Sequence, residues 1–184
     1  MSTRNSNLKL GLLAAILIAI SSIGLSFFGC TPAEAASACT LAPDEHDPSV
    51  KILRCGDNLT VRAARGARFR PIYEKGQPLP AAVRLDDGAL LIEFQPGSGL
   101  DQFQILTPLA IAAVRGTKWA VEVTSARDST LVLSGTVQVT NRRFNRYVLV
   151  SDGEGVDITP TDTSMTTKHW GDARVRELLS RFGE

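Results

Sequence analysis

The side chains able to do chemistry are few. The 184-residue chain holds 3 cysteines and 2 histidines. A thiolate nucleophile needs a neighbouring base and a third group to orient that base. His46, in "APDEHDPS", reads as a loop residue without such a group, and His169 is the only other imidazole. A zinc site needs Cys and His in pairs at short spacing, which the chain does not offer. "DDG", Asp86 to Gly88, lacks the further oxygen ligands of a calcium loop. The glycine-rich pieces do not lead from a strand into a helix as a phosphate loop does, and no nucleophile elbow is present. Scattered carboxylates are the one route left to a hydrolase. These patterns predict no catalytic residue, no metal and no cofactor.

The cysteines then read as structural. Cys39 and Cys55 are an even pair in a chain that looks exported, which predicts a disulfide tying a loose N-terminus to the first strand. Closing a loop of that length contributes ~3 kcal/mol in the chain-entropy model.

The export reading rests on residues 1–35. Arg4 and Lys9 precede "GLLAAILIAISSIGLSFF", Gly11 to Phe28, which carries no charge. Basic, apolar and small residues in that order form an export signal. The apolar run is also long enough to span a bilayer. Three outcomes stay open: cleavage near Ala35 or Ala38, lipidation at Cys30 in "FFGC", or retention as an anchor. Each places the following domain in the periplasm or on the outer side of the inner membrane.

Charge excludes one class of partner. The chain has 20 basic and 19 acidic residues; without residues 1–35, which hold Arg4, Lys9 and Glu34, 18 of each remain. A neutral domain has no general attraction for nucleic acid or acidic lipid. Membrane contact is expected only through the N-terminal segment. Local clusters do occur, at Arg62, Arg65, Arg68 and Arg70 and again at Arg142, Arg143 and Arg146. Each reads either as a solvated strand face or as a docking patch for an acidic partner.

The elements behind these residues are short strands. "KILRC", "NLTVRA", "RFRPIY", "AVRL" and "ALLIEF" follow one another between Gly, Asp and Pro punctuation. Asp86-Asp87-Gly88 reads as a hairpin turn between the last two. "KWAVEV" alternates, with Trp119, Val121 and Val123 on one face. "TLVLSGTVQV" is broken by Ser134-Gly135, where a turn or bulge is expected. "YVLV" and "GVDI" flank Ser151-Asp152-Gly153. The pattern predicts an all-β domain over 36–167: a short-stranded roll, sandwich or solenoid-like form. Helical spacing of Val175, Leu178, Leu179 and Phe182 predicts a helix within 168–184, packed on the domain. Gly183 would end it and Arg181 would sit in its last turn.

In "TPLAIAAVRGTKWAVEV" an Arg, a Gly and a Thr interrupt a strand-like run. Pro108 suits a strand rim, Gly116 a positive φ, and Thr117 a local turn hydrogen bond. Trp119 would be the largest apolar side chain of a small core. Arg115 reads either as a stem packed on the sheet with its guanidinium on loop carbonyls, or as an exposed partner contact.

The ordered set Thr107-Pro108, Gly116-Thr117, Trp119, Val121, Val123, Gly135, Val137, Val139 and Gly153-Glu154 resembles the FecR-like domain family of bacterial envelope proteins. The resemblance covers about Leu85 to Val156 and, more loosely, the Gly-rich strands from Asn58. Many members have Phe where Trp119 stands. Sigma-regulating members begin with a cytoplasmic helical domain, which the ten residues before the apolar run cannot form. The resemblance implies a short form and a place in signal sensing or envelope organisation. The expected function is a non-enzymatic exported envelope module that binds an envelope protein or a surface glycan. The alternatives are a signal-transduction regulator acting through a separate membrane protein and, third, a cell-envelope hydrolase. Arg115, Arg142, Arg143 and Arg146 are the expected partner contacts.

Overall fold

The computed structural model describes residues 39–97 and 100–184. The signal or anchor over 1–35, the cleavage positions and the lipidation reading at Cys30 lie outside the described residues. Among the described residues no helix is long and apolar enough to cross a membrane.

The strands are β1 (Cys39–Pro43), β2 (Lys51–Cys55), β3 (Leu59–Ala63), β4 (Arg68–Tyr73), β5 (Pro80–Phe94), β6 (Phe103–Leu106), β7 (Ala110–Val114), β8 (Thr117–Val123), β9 (Asp128–Ser134), β10 (Thr136–Asn141), β11 (Arg146–Ser151), β12 (Glu154–Ile158) and β13 (Lys168–His169). One helix, α1 (Asp172–Ser180), follows. The fold is an all-β roll with a single short C-terminal helix. One layer runs β1-β2-β3-β5-β8-β9-β12-β13 and the other β4-β5-β6-β7-β10-β11. All pairs are antiparallel except β5 with β6.

The layers are joined through β5, and here the hairpin expectation fails. Asp86-Asp87-Gly88 lies inside one continuous strand. Residues 80–87 pair with β4, and residues 88–94 pair with β8 in the other layer. Gly88 has φ +91°, and a Cβ there would stand 2.7 Å from the Cα of Ala67. The glycine therefore lets the strand bend from one layer into the other against close-packed backbone.

Between the layers lies the main core. Phe94, Phe103 and Trp119 form its aromatic centre, with ring centroids 5.8 Å apart for the first two and 6.4 Å for Phe103 and Trp119. Strict in–out alternation produces it: β3, β6 and β7 each bury every second residue toward this interior. A second core lies on the outer face of the first layer. Ala64, Ala89, Leu91, Ala120 and Leu131 meet Trp170, Leu178 and Phe182 there. α1 is the lid on that face.

The helix departs in detail from its sequence reading. Val175 and Leu179 are only partly buried, and Leu178 alone is fully buried within the helix. Arg181 is the C-cap, beyond the last turn, and its Nη1 donates to Glu122 Oε1 on β8. Its role is a tie to the sheet in place of a charge on the helix end. Cys39 and Cys55 face each other in the β1–β2 register and are bonded, with Cα atoms 4.1 Å apart. The bridge fastens the edge strand β1 to the layer.

Candidate functional site

The residues of the motif fall on two rims of the roll. On one rim the chain passes between layers three times: β7 to β8 at Arg115-Gly116, β9 to β10 at Gly135, and β11 to β12 at Asp152-Gly153. Gly116, Gly135 and Gly153 have φ of +86°, +93° and +75°. The crossings touch. A Cβ on Gly135 would lie 2.5 Å from Thr117 Cγ2, and one on Gly116 would lie 3.1 Å from Pro96 Cδ. The Gly135 N–H donates to Asp152 Oδ1 at 2.5 Å, and the Ser151 N–H donates to Glu154 Oε2 at 2.9 Å. Glu154 thus closes the third crossing. Thr117 does not make the expected turn hydrogen bond; its hydroxyl is buried without a partner. Its methyl fills the space that Gly135 leaves, and this packing holds the side chain.

An open groove of about 420 Å³ runs along this rim, lined by Glu93, Gln95, Gly116, Thr117, Lys118 and Ser134 among others. Lys118 Nζ is spoken for, at 3.0 Å from Glu93 and 2.9 Å from Glu184. Arg115 directly precedes Gly116 of that lining in the chain. It is exposed, and no hydrogen bond or ion pair reaches it among the described residues.

The opposite rim carries Thr107 and Pro108 in the turn between β6 and β7. Thr107 Oγ1 accepts from the Ala110 N–H at 2.9 Å and donates to the Ala110 carbonyl at 3.0 Å. The Leu109 N–H donates to Asp128 Oδ2 at 2.8 Å, and Arg142 Nη1 donates to the Thr107 carbonyl at 2.9 Å. Burial pushes the Asp128 carboxyl above its ordinary pKa, against the hydrogen bonds of Thr107 and Leu109 and the charge of Arg142. Sequence reasoning missed Asp128. Its signal is weak: an acid opening the strand-like "DSTLVL".

The arginines divide. Arg142 is tied to Thr107, and Arg143 Nη1 donates to the Pro160 carbonyl at 3.0 Å. The side chains of Arg146 and Arg115 make no hydrogen bond or ion pair among the described residues. His46 lies in the β1–β2 loop. His169 is on β13, its ring against Gly153. Among the described residues neither faces a thiol, since Cys39 and Cys55 are bonded to each other. Among the described residues no group of three or more His, Cys, Asp or Glu could hold a metal ion.

The densest polar network fastens α1. Arg174 holds Asp157 of β12 at both carboxylate oxygens, 2.9 and 2.6 Å, and its guanidinium stacks 3.3 Å from the Trp170 ring centroid. Ser129 Oγ donates to the same carboxylate at 2.7 Å. Burial raises the Asp157 pKa, but the bonds from Arg174 and Ser129 and the charges of Arg174 and Arg127 outweigh it, and the pKa falls from 3.8 to about 2. A folded pKa below the unfolded one adds stability above the unfolded pKa, and that stability is lost as pH falls through the folded one. Asp157→Asn is therefore expected to cost about 2 kcal/mol at pH 7. The cost should shrink between pH 4 and pH 2, which urea melts of both proteins across that range will check.

Comparison with known proteins agrees with this architecture. Residues 49–138 match the family model described as FecR protein. The span starts and ends earlier than the motif resemblance, so Gly153-Glu154 lie outside it. No curated protein matches the chain. Two crystal structures of a candidate anti-sigma factor from Parabacteroides distasonis ATCC 8503 are similar in fold. The 1.65 Å structure has a TM-score of 0.56 at 17% identity, over 71% of this chain and 60% of that one. The 2.50 Å structure has a TM-score of 0.58 at 17% identity, over 77% and 63%. This chain thus spans about three fifths of the length of those structures. The family match runs from β2 into the first half of β10, and over that span the chain is similar to a FecR domain.

Proposed function

We propose that the chain is an exported, non-enzymatic envelope module that binds another envelope protein or a surface glycan. Its role is in sensing or envelope organisation, in the periplasm or on the outer side of the inner membrane. In this reading residues 1–35 are the signal or anchor, 36–167 the binding domain and 168–184 the helix that seals its outer core.

One observation carries the proposal. The motif residues are used up in turning and packing strands, and what they leave exposed is Arg115, the neighbour in the chain of Gly116 at the crossover groove. Arginine's planar fork suits a carboxylate, on a protein or on an acidic glycan. Arg142 and Arg143 are engaged with loop carbonyls; of the two unbonded expected contacts, Arg115 and Arg146, Arg115 lies within the motif and is the first residue to test. A second reading, a regulator acting through a separate membrane protein, is favoured by the fold shared with a candidate anti-sigma factor.

Arg115→Ala is expected to cut partner capture about tenfold, as loss of a charge-assisted hydrogen bond does. Its stability should stay within about 0.5 kcal/mol of the parent, as for an unbonded surface residue. Capture should also weaken as salt rises. Crosslinking in intact envelopes followed by mass spectrometry, at low and high ionic strength, measures both. Salt-independent capture, or an early-melting Arg115→Ala, would remove Arg115 from the site. Turnover of a cell-wall glycan at enzymatic rates would replace binding with hydrolysis.

A further inference from the structure

We propose that β11 is a self-association edge, and that two copies of this chain join by antiparallel pairing of their β11 strands. This surface is separate from the crossover groove. β11 ends the second layer, and β10 is its only strand partner among the described residues. Exposed strand edges invite pairing, and proteins blunt them with Pro, Lys or a bulge. β4, at the other end of that layer, carries Pro71 and two register shifts. β11, "RYVLVS", has no Pro, no Lys and an unbroken register.

The ladder shows which backbone groups are open. Just past β10, the Arg142 N–H donates to the Leu109 carbonyl beside β7. Even-numbered residues of β10 therefore face β7, and Val137, Val139 and Asn141 face β11. Their partners Val150, Val148 and Arg146 face back toward β10. By alternation Tyr147, Leu149 and Ser151 point their N–H and C=O groups at the open edge. Ser151 agrees, since its N–H is taken by Glu154 rather than by β10. Tyr147 and Leu149 thus hold two donors and two acceptors with no strand opposite. Their side chains are also the most exposed large apolar ones on this layer, at 62% and 57%.

A second copy fits this edge. With the two-fold axis at Val148, Tyr147 of each strand lies opposite Leu149 of the other. The pairing makes four backbone hydrogen bonds and two aromatic–aliphatic cross-strand pairs. Val148 then meets its own counterpart and extends the core side of the layer. Charge supplies the polarity. The strand begins beside Arg143 and Arg146 and ends at Asp152 and Glu154, so antiparallel pairing sets the basic end of each copy against the acidic end of the other. Parallel pairing would set like against like. The interface is small, so dissociation constants on the order of micromolar are expected.

The test is Val148→Cys in the full chain, exported by living cells and run on non-reducing gels. Val148 and its counterpart form a non-hydrogen-bonded pair, with Cα atoms ~4.5 Å apart, within disulfide reach. A covalent dimer is expected, absent from the parent chain and from Gln138→Cys on β10. Adding Leu149→Lys or Arg146→Glu to the Val148→Cys chain should lower the dimer at least fivefold while protease resistance of the domain stays unchanged. Dimer no greater than in Gln138→Cys, or a disulfide from Val148→Cys to a different protein, overturns the proposal. So does dimer that both added substitutions leave undiminished.

Discussion

Trp119→Ala is expected to lower the stability of the domain by about 3–5 kcal/mol, the usual cost of removing a buried large aromatic side chain. The indole is fully buried. It sits mid-strand in β8, beside Ile92 of β5 and Val132 of β9 in the register, and edge-on to Phe103 across the interior. One side chain thus fills the space where both layers meet. Neighbours fixed in two ladders cannot collapse into the cavity. The urea midpoint should fall by roughly 1–3 M with an unchanged slope. Trp119→Phe isolates the cause. The indole Nε1 has no hydrogen-bond partner in the protein, so phenylalanine loses volume and no bond. It should cost well under half as much as alanine. If the two variants melt alike, the apolar plug is not what Trp119 supplies.

Much of the fold could be read because its signals are local. Alternation in "KWAVEV" and glycine between short apolar runs gave an all-β domain, with the roll one of three forms left open. Cys39 and Cys55 needed only their count and the export reading, and the register brings them face to face. The failures share one physical cause. Asp86-Asp87-Gly88 has hairpin chemistry, yet the same dihedral freedom serves a strand that changes layers. What selects the bend is Ala67 against Gly88, a contact twenty-one residues apart in sequence. Arg142 and Arg143 read as a solvated face or a docking patch, and their ties to Thr107 and Pro160 were not legible because those acceptors are 35 and 17 positions away. Asp128 was invisible for the same reason: the Leu109 N–H it accepts belongs to another turn. Of the candidate site, Gly116 and its corner were legible from backbone rules. That Arg142 and Arg143 are engaged while Arg115 and Arg146 are left unbonded depends on contacts far apart in the chain.

The crossings make a second large effect. Gly135→Ala is expected to cost about 2–4 kcal/mol, from a backbone that L side chains rarely adopt together with overpacking. The backbone contributes through φ +93°. The overpacking arises because the new methyl would stand 2.5 Å from Thr117 Cγ2 and 2.9 Å from the Gly116 carbonyl. Neither neighbour can yield easily. Thr117 is buried in β8, and Gly116 is itself a tight crossing. Moving Gly135 outward would also strain its N–H bond to Asp152. Gly56→Ala is the control. Gly56 has φ +56° with nothing within 4 Å of its Cβ position, so it carries the backbone cost alone, about 1 kcal/mol. Thr117→Ser separates the two contributions. It removes the methyl that the new Cβ would strike and leaves the backbone term in place. The double variant should then recover about 1 kcal/mol relative to the sum of the single changes, a coupling expected of residues in direct contact. Equal melting of Gly135→Ala and Gly56→Ala would mean that the crossings are loose, and the packing of Gly135 on Thr117 would then not explain why the chain carries both.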